Sequence, residues 1–458
     1  MSRPVRRSRD PFAEALGGLG EGRSADARRV RTRGITIRFA NGRIHQPHFD
    51  ELTHVSFRVA DGCRLGTATT SDTSDRGLAL VRESALGLAR VAPVEPKFLG
   101  FPAGGGPSVV RVPFSELTAS LSPEAVTKLA ERVLAAAEEV LPGSRIAGAV
   151  NVGQEELRVV NSAGLDRRSR SSVAQASVLV DVPEKDPPVS GWSEGAHWDG
   201  ARLDPERLGR EAAERVARSE PKSVPPGAYR VVLRGSALSD VLAFFAHLGF
   251  SGHGEEEGWS CLRRRRGARI APEFVTVTDD PRSQHTIPQG IDYEGTATRR
   301  TALVDHGIAG PAVTDLLTAG RLRRELTGHA PPPEAPWGEF GPSPAHLVLN
   351  AGDASENELV RETRRGLLVT RFHYVRVVDP GRGVITGMTR DGTYRIERGE
   401  VVGPARNLRF TESVLTILRG LELLGRERRI YSDEAGGSSV TTPSAAVRSL
   451  RFTSATLF

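Results

Sequence analysis

Two tight-turn dipeptides, Asn41-Gly42 and Asp61-Gly62, each close a run of strand-forming residues: GITIRF at 34–39 and THVSFRVA at 53–60. Both central positions of a type I′ turn need φ > 0, which Asn-Gly and Asp-Gly supply at low cost. The N-terminal half must therefore begin as an antiparallel meander. A helix is expected over 72–91, with Leu78, Val81, Ala85 and Leu88 as one buried stripe at spacings of three and four. A second helix starts at Ser122-Pro123-Glu124, where serine caps, proline suits the first turn and glutamate favours the positive helix end. Pro142-Gly143 stops it.

Beyond it, 145–152 and 156–160 read as a hairpin about Gly153-Gln154, followed by a turn at 161–164 and a strand at 171–181. The stretch 183–200 is rich in Pro, Gly and Ser and reads as a loop; a helix at 205–217 buries Leu208, Ala212 and Val216. Three prolines in SEPKSVPPGA (219–228) mark a domain boundary. Past it come a strand (229–234), the most apolar helix (236–247), and strands at 274–279, 301–304, 346–350, 367–379, 384–389 and 393–397. A Pro-rich loop at 329–344, a helix at 411–424 and a final strand at 446–452 complete the reading. Helices and strands mix without βαβ alternation, so the fold class is α+β. The expected division is a flexible basic tail (1–25), an N-terminal domain of antiparallel strands and helices (26–220), and a strand-rich C-terminal domain (226–458).

Charge narrows the partners. Lysine plus arginine number 62 against 56 acidic residues, a net +6. Only Lys97, Lys128, Lys185 and Lys222 are lysines, so the basic character is an arginine bias without a cluster, and nucleic acid is a poor candidate partner. Cys63 and Cys261 cannot form a disulfide framework or a thiolate zinc site. No apolar run reaches the roughly 18 residues that span a bilayer, and no secretory signal opens the chain, so a cytoplasmic protein is expected.

No phosphate loop, H-E-x-x-H helix or G-x-S-x-G elbow is present. Among the histidines, His247 and His253 stand out, because they follow the apolar helix and precede Glu255, Glu256 and Glu257. They are six residues apart, about 600° of helical rotation, with Gly249 and Gly252 between them. Two readings stay open: a metal or hydrolytic site using His247, His253, Glu256 and Glu257, or a helix end with an acidic exposed loop. The polar stretch 278–300 offers Asp279, Asp280, Asp292 and Glu294, with Gly295 and Arg299 beside them. It is either a substrate or interface loop or an exposed loop held by Asx turns.

The order of these segments resembles the TldD/PmbA family, known both as modulators of DNA gyrase and as metallopeptidase subunits. Residues 61–68 (DGCRLGTA) are similar to its "G-x-R-x-G-x-A" strand, and 160–164 (VNSAG) to its "N-S-x-G" turn. Residues 278–281 (TDDP) with 291–301 (IDYEGTATRRT) resemble the "DDP … D-x-E-G … R" block. VDHGI at 304–308, TGH at 327–329 and LNAGD at 349–353 match later blocks. The resemblance covers nearly the whole chain from Arg33.

The resemblance implies one of two subunit types. The TldD type carries H-E-x-x-x-H on the first C-terminal-domain helix, its two histidines binding zinc, with a later cysteine near the C-terminus; the TldE/PmbA type lacks these. Aligning His253 with the second histidine puts Leu248 and Gly249 where histidine and glutamate should stand, and no cysteine follows Cys261. The resemblance thus implies a TldE/PmbA-type partner with no cofactor of its own, zinc residing in a TldD-type subunit, and a heterodimer that cleaves flexible or unfolded peptides. A homodimer is the alternative where that subunit is missing. Strand-like peptide capture would suit the strand-rich C-terminal half. Two alternatives remain: an independently active hydrolase around His253, Glu255, Glu256 or Cys261, and a non-enzymatic interaction protein of the gyrase-modulator kind.

Overall fold

A computed structural model describes residues 10–182, 189–216, 219–332, 341–432 and 438–455. Met1 to Arg9 of the expected tail lie outside these residues; the remainder, 10–25, holds a short helix and the start of a strand. Helix α1 (Pro11–Glu14) sets buried Phe12 edge-on to Phe57 at 6.5 Å, and Arg29 and Arg158 lie over its ring. The meander follows as β1 (Arg23–Ala40), β2 (Arg43–Asp61) and β3 (Arg64–Thr70), with Asn41, Gly42 and Gly62 at positive φ. Helix α2 (Asp75–Val91) is capped by Ser74 and buries Leu78, Val81, Ala85 and Ala89, while Leu88 is exposed. Gly66 shifts the stripe: a Cβ there would sit 2.2 Å from both Ala85 O and Ala89 N, so the helix rests on bare strand backbone.

Helices α3 (Glu116–Ala119) and α4 (Pro123–Val140) precede β4 (Arg145–Asn161) and β5 (Asp166–Val182). The expected hairpin at Gly153-Gln154 is absent. Gly153 pairs with Gly34 on one side and Val173 on the other, so β4 is a central strand running straight through. The chain turns at Asn161, whose Oδ1 accepts from the N–H groups of Ala163 and Leu165. The expected loop at 183–200 is corrected too. Residues 183–188 lie outside the described residues, and Val189–His197 form β6. Its glycines serve packing: a Cβ on Gly191 would meet Ala212 O at 2.2 Å, because α5 (Pro205–Glu214) lies directly on the strand.

The C-terminal half runs β7 (Gly227–Leu233), α6 (Gly235–Phe250), α7 (Gly252–Glu257), β8 (Val277–Asp279), β9 (Thr301–Asp305), β10 (Ile308–Ala309), α8 (Leu316–Leu322) and β11 (His346–Leu349). Next come α9 (Glu356–Thr363), β12 (Arg365–Asp379), β13 (Val384–Glu397), β14 (Glu400–Pro404) and β15 (Leu408–Ser413). It ends with α10 (Val414–Arg419), β16 (Leu421–Leu424), β17 (Arg429–Ser432), β18 (Ser439–Thr442) and β19 (Ala445–Ala455). The helix expected at 411–424 is only α10, because its flanks pair with β13 and β19. The two strands expected at 384–397 are one, with Asp391 and Gly392 at positive φ inside it.

The architecture is α+β. One sheet has twelve strands in the order β10-β9-β8-β11-β18-β17-β6-β5-β4-β1-β2-β3 and crosses the proline-rich boundary at β17–β6 through Ile430 and Ala196. The other joins β12, β7, β19, β15 and β13 into a ring, since β13 also pairs with β12, and carries β14 and β16 at its margins. The largest core belongs to the C-terminal half and centres on α6, whose Leu238, Val241, Leu242, Phe245 and Leu248 are buried. A second core lies under α4 and α5 on one face of the twelve-stranded sheet.

Candidate functional site

Helix α6 is apolar nearly all round, so it sinks into the core and carries its last turn with it. Ser251 then caps α7 by accepting from Gly254 N, and Gly258 at φ 85° ends it. This break places His253, Glu256 and Glu257 together, with ligand-type atoms all within 4.8 Å of one another. His247 is not among them. It packs on Trp259 at 5.7 Å, and burial pushes its pKa down; His253 meets the same ring edge-on at 6.3 Å.

These residues are a poor ligand set for the zinc that the resemblance assigns to a TldD-type subunit. Zinc holds its ligands at about 2.0–2.3 Å and wants them deprotonated and free. Here Glu256 Oε2 is 3.2 Å from Arg321 Nη1, and Arg321 also pairs with Glu95, so a guanidinium already supplies the local positive charge. The positions that the resemblance aligns with a ligand histidine and a glutamate hold Leu248, buried in the core, and Gly249, where a Cβ would lie 3.0 Å from Leu262 Cδ1. The neighbouring candidates are likewise spoken for: Glu255 is bound by Arg266 and Arg324. Burial pushes the Cys261 thiol up to about 11, which leaves it protonated and unreactive.

The polar stretch 278–300 is largely buried rather than presented to solvent. Asp279 Oδ1 accepts from the N–H groups of Ala345 and His346 at 2.9 and 2.7 Å, and its Oδ2 lies 3.0 Å from His329 Nε2. Burial alone would raise this carboxyl; His329 and the His346 backbone N–H outweigh it and hold it below the usual range. Asp292 accepts from the N–H groups of Glu294, Thr296 and Ala330, an Asx turn folded inward. Glu294 accepts from Arg58 Nη1 at 2.6 Å and from Leu316 N at 2.7 Å, which ties the meander to the first turn of α8. Burial raises both Asp292 and Glu294, each reinforced by a neighbouring acid, with Arg58 opposing at Glu294.

Gly295 holds φ 78°, and a Cβ there would press on Leu165 at 2.9 Å. Asp280, raised by burial, is 3.6 Å from Arg300; exposed Arg299 is 3.4 Å from Glu325. The predicted residues therefore fall into separate places: an Asp279–His329 node, an Asp292–Glu294–Arg58 node, and a surface pair at Arg299. Arg58, Asp26 and Arg321 organise this region and carry no motif. Arg58 reads as one more charge in an alternating strand.

The fold and these segments match one family. The PmbA/TldA metallopeptidase domain 1 matches residues 25–91, its central domain 116–220 and its C-terminal domain 226–454. The chain belongs to the TldD/PmbA family. Two of the three family models fall within the N-terminal region expected over 26–220.

Among curated relatives, a metalloprotease of Methanothermobacter thermautotrophicus is 28% identical over 251 residues, 53% of each chain. A zinc metalloprotease TldD homolog of Saccharolobus solfataricus is 24% identical over 217 residues, 46% of each. The chain spans about half the length of these relatives in the matches. Among solved structures, TldE from Thermococcus kodakarensis superposes with a TM-score of 0.82 at 21% identity, covering 94% of this chain and 96% of that one. TM0727 from Thermotoga maritima, a candidate modulator of a DNA gyrase, gives 0.80 at 22% identity, with 97% and 98% covered. Among the described residues no helix is long and apolar enough to cross a membrane.

Proposed function

We propose that this chain is the TldE/PmbA-type subunit of a heterodimeric zinc metallopeptidase, with the zinc held by a TldD-type partner and flexible or unfolded peptides as substrate. One observation carries the reading: Leu248 and Gly249, at the positions of the ligand histidine and the glutamate, are built into the apolar core. Installing an imidazole and a carboxylate there would bury both without partners, at several kcal/mol. Among the described residues the outer edge of β3 beyond Arg64 is left for an added peptide strand, whereas β10 is already paired on its outer side with 267–269. The test is co-expression with a TldD-type chain and cleavage of an unfolded polypeptide. The pair should cleave and this chain alone should not; cleavage by this chain alone would overturn the reading. The grouping of His253, Glu256 and Glu257 favours a second reading, a hydrolase in its own right. It requires Arg321 to release Glu256, and the same assay decides it.

A further inference from the structure

The twelve-stranded sheet has two unlike faces. One is apolar and carries α4 and α5. The alternating residues of the other face, Thr36, Asn151, Gln175, Ser177 and Glu194, line a trough of about 310 Å³. Arg371 of β12 roofs it, its guanidinium 3.8 Å from the centroid of the Trp192 ring. Past Trp192, Glu194 and Tyr431 the trough meets a second cavity of about 350 Å³, lined by six arginines and four glutamates.

Two features of this space are incomplete. The first is charge. Arg215 and Arg429 share Glu211, at 3.1 and 2.7 Å, Arg234 holds Glu356 at 2.7 Å, and Glu194 accepts from Ser236 Oγ beside them; the whole lining sets six arginines against four glutamates, an excess of two cations. Burial and the neighbouring Arg234 depress even Arg215, to about 10. Asp240, one turn into α6, is pushed up to about 8 by burial and by Glu194, and so adds little negative charge at neutral pH. The N-terminus of α6 opens into the same space with no side-chain cap or acidic residue of its own in the first turn, and Glu194 of β6 accepts from Ser236 Oγ there. The second feature is hydrogen bonding: Trp192 Nε1, a donor, and Gln175 Oε1, an acceptor, are both buried and without a partner among the described residues.

We propose that the cavity and trough bind the C-terminal end of an extended peptide. The carboxylate sits among Arg215, Arg234 and Arg429 at the start of α6. The preceding backbone lies in the trough, where Trp192 donates to a peptide carbonyl and Gln175 accepts from a peptide N–H. An excess of cations suits a carboxylate, and a donor–acceptor pair matches the two faces of an amide unit. This deepens the peptide-handling reading above by naming which end of the peptide this subunit holds.

The test is fluorescence anisotropy of the full chain with an N-terminally labelled hexapeptide of Gly, Ala and Ser, made as the free acid and as the C-terminal amide. The acid should bind about tenfold or more tightly than the amide. Arg234→Gln should abolish that preference. Trp192→Phe, which keeps the ring under Arg371, should weaken the acid about fivefold and serves if Arg234→Gln does not fold. Equal affinity for acid and amide, no binding, or indifference to Trp192→Phe overturns the proposal. Displacement by inorganic phosphate where acetate does not compete would assign the cavity to free phosphate and also overturns it. The assay needs neither zinc nor a partner chain, so it can fail or succeed independently of the subunit reading.

Discussion

Replacing Arg58 with methionine tests whether the Asp26–Arg58–Glu294 node joins the meander to the C-terminal half as a load carried in the core. The Arg58 side chain is 10% exposed, and its partners Asp26 and Glu294 are 1% and 6% exposed. Its guanidinium also lies 5.1 Å from the Phe101 ring centroid. Burial disfavours the cation, yet the two carboxylates more than offset this and hold its pKa above the ordinary arginine value. Methionine fills much of the volume and leaves two buried carboxylates without a counter-charge. Breaking such a node by removing one partner costs about 3–5 kcal/mol, and the lost cation–π contact adds about 0.5–2 kcal/mol. Against a typical total of 5–15 kcal/mol, this is a large shift of the urea midpoint. Adding Asp26→Asn and Glu294→Gln should recover more than half of the loss, because the penalty lies in the orphaned charges. A loss below about 1 kcal/mol for Arg58→Met would refute the reasoning.

Three further outcomes follow from the same geometry. His253→Ala should change peptide cleavage by a TldD-type pair less than about twofold, whereas a drop near a thousandfold would place His253 in the chemistry. Asp279 holds its proton less tightly folded than unfolded, so its contribution is complete above about pH 4 and is lost as pH falls below that. Asp279→Asn should flatten this acid limb of a stability–pH curve and, with buried His329 Nε2 left short of its carboxylate acceptor, cost about 1–3 kcal/mol at pH 7; an unchanged limb would contradict the assignment. Gly66→Ala should destabilise by about 1–3 kcal/mol in thermal melts, because its Cβ has backbone atoms of α2 at 2.2 Å; a neutral result would mean that α2 shifts freely.

What the sequence revealed, and what it hid, divides along physical lines. Local signals were read well: Asn41-Gly42 turned the chain, Ser122-Pro123 opened α4, and Asn161 to Gly164 closed β4. The failures arise where tertiary contacts override local chemistry. Gly153 and Gly191 look like turn residues, but one sits in a central strand and the other under a helix, positions that need the missing side chain. Leu88 continued a helical stripe on paper, yet Gly66 across the interface moved the buried line to Ala89. At the candidate site the residues of 278–300 were visible as a polar run. Their burial was not, because Arg58 lies 236 positions from Glu294 and nothing local announces the pair. The polar face under Arg371 was equally hidden, since it takes shape only when β12 is laid across β6.

Zinc content, measured by elemental analysis on this chain purified alone and on its complex with a TldD-type chain, tests the central claim most directly. The account predicts well under 0.1 zinc per chain alone and about one per heterodimer, since Leu248 leaves His253 without a second ligand histidine and Arg321 holds Glu256. One zinc per chain in the isolated protein, lost on His253→Ala, would contradict it.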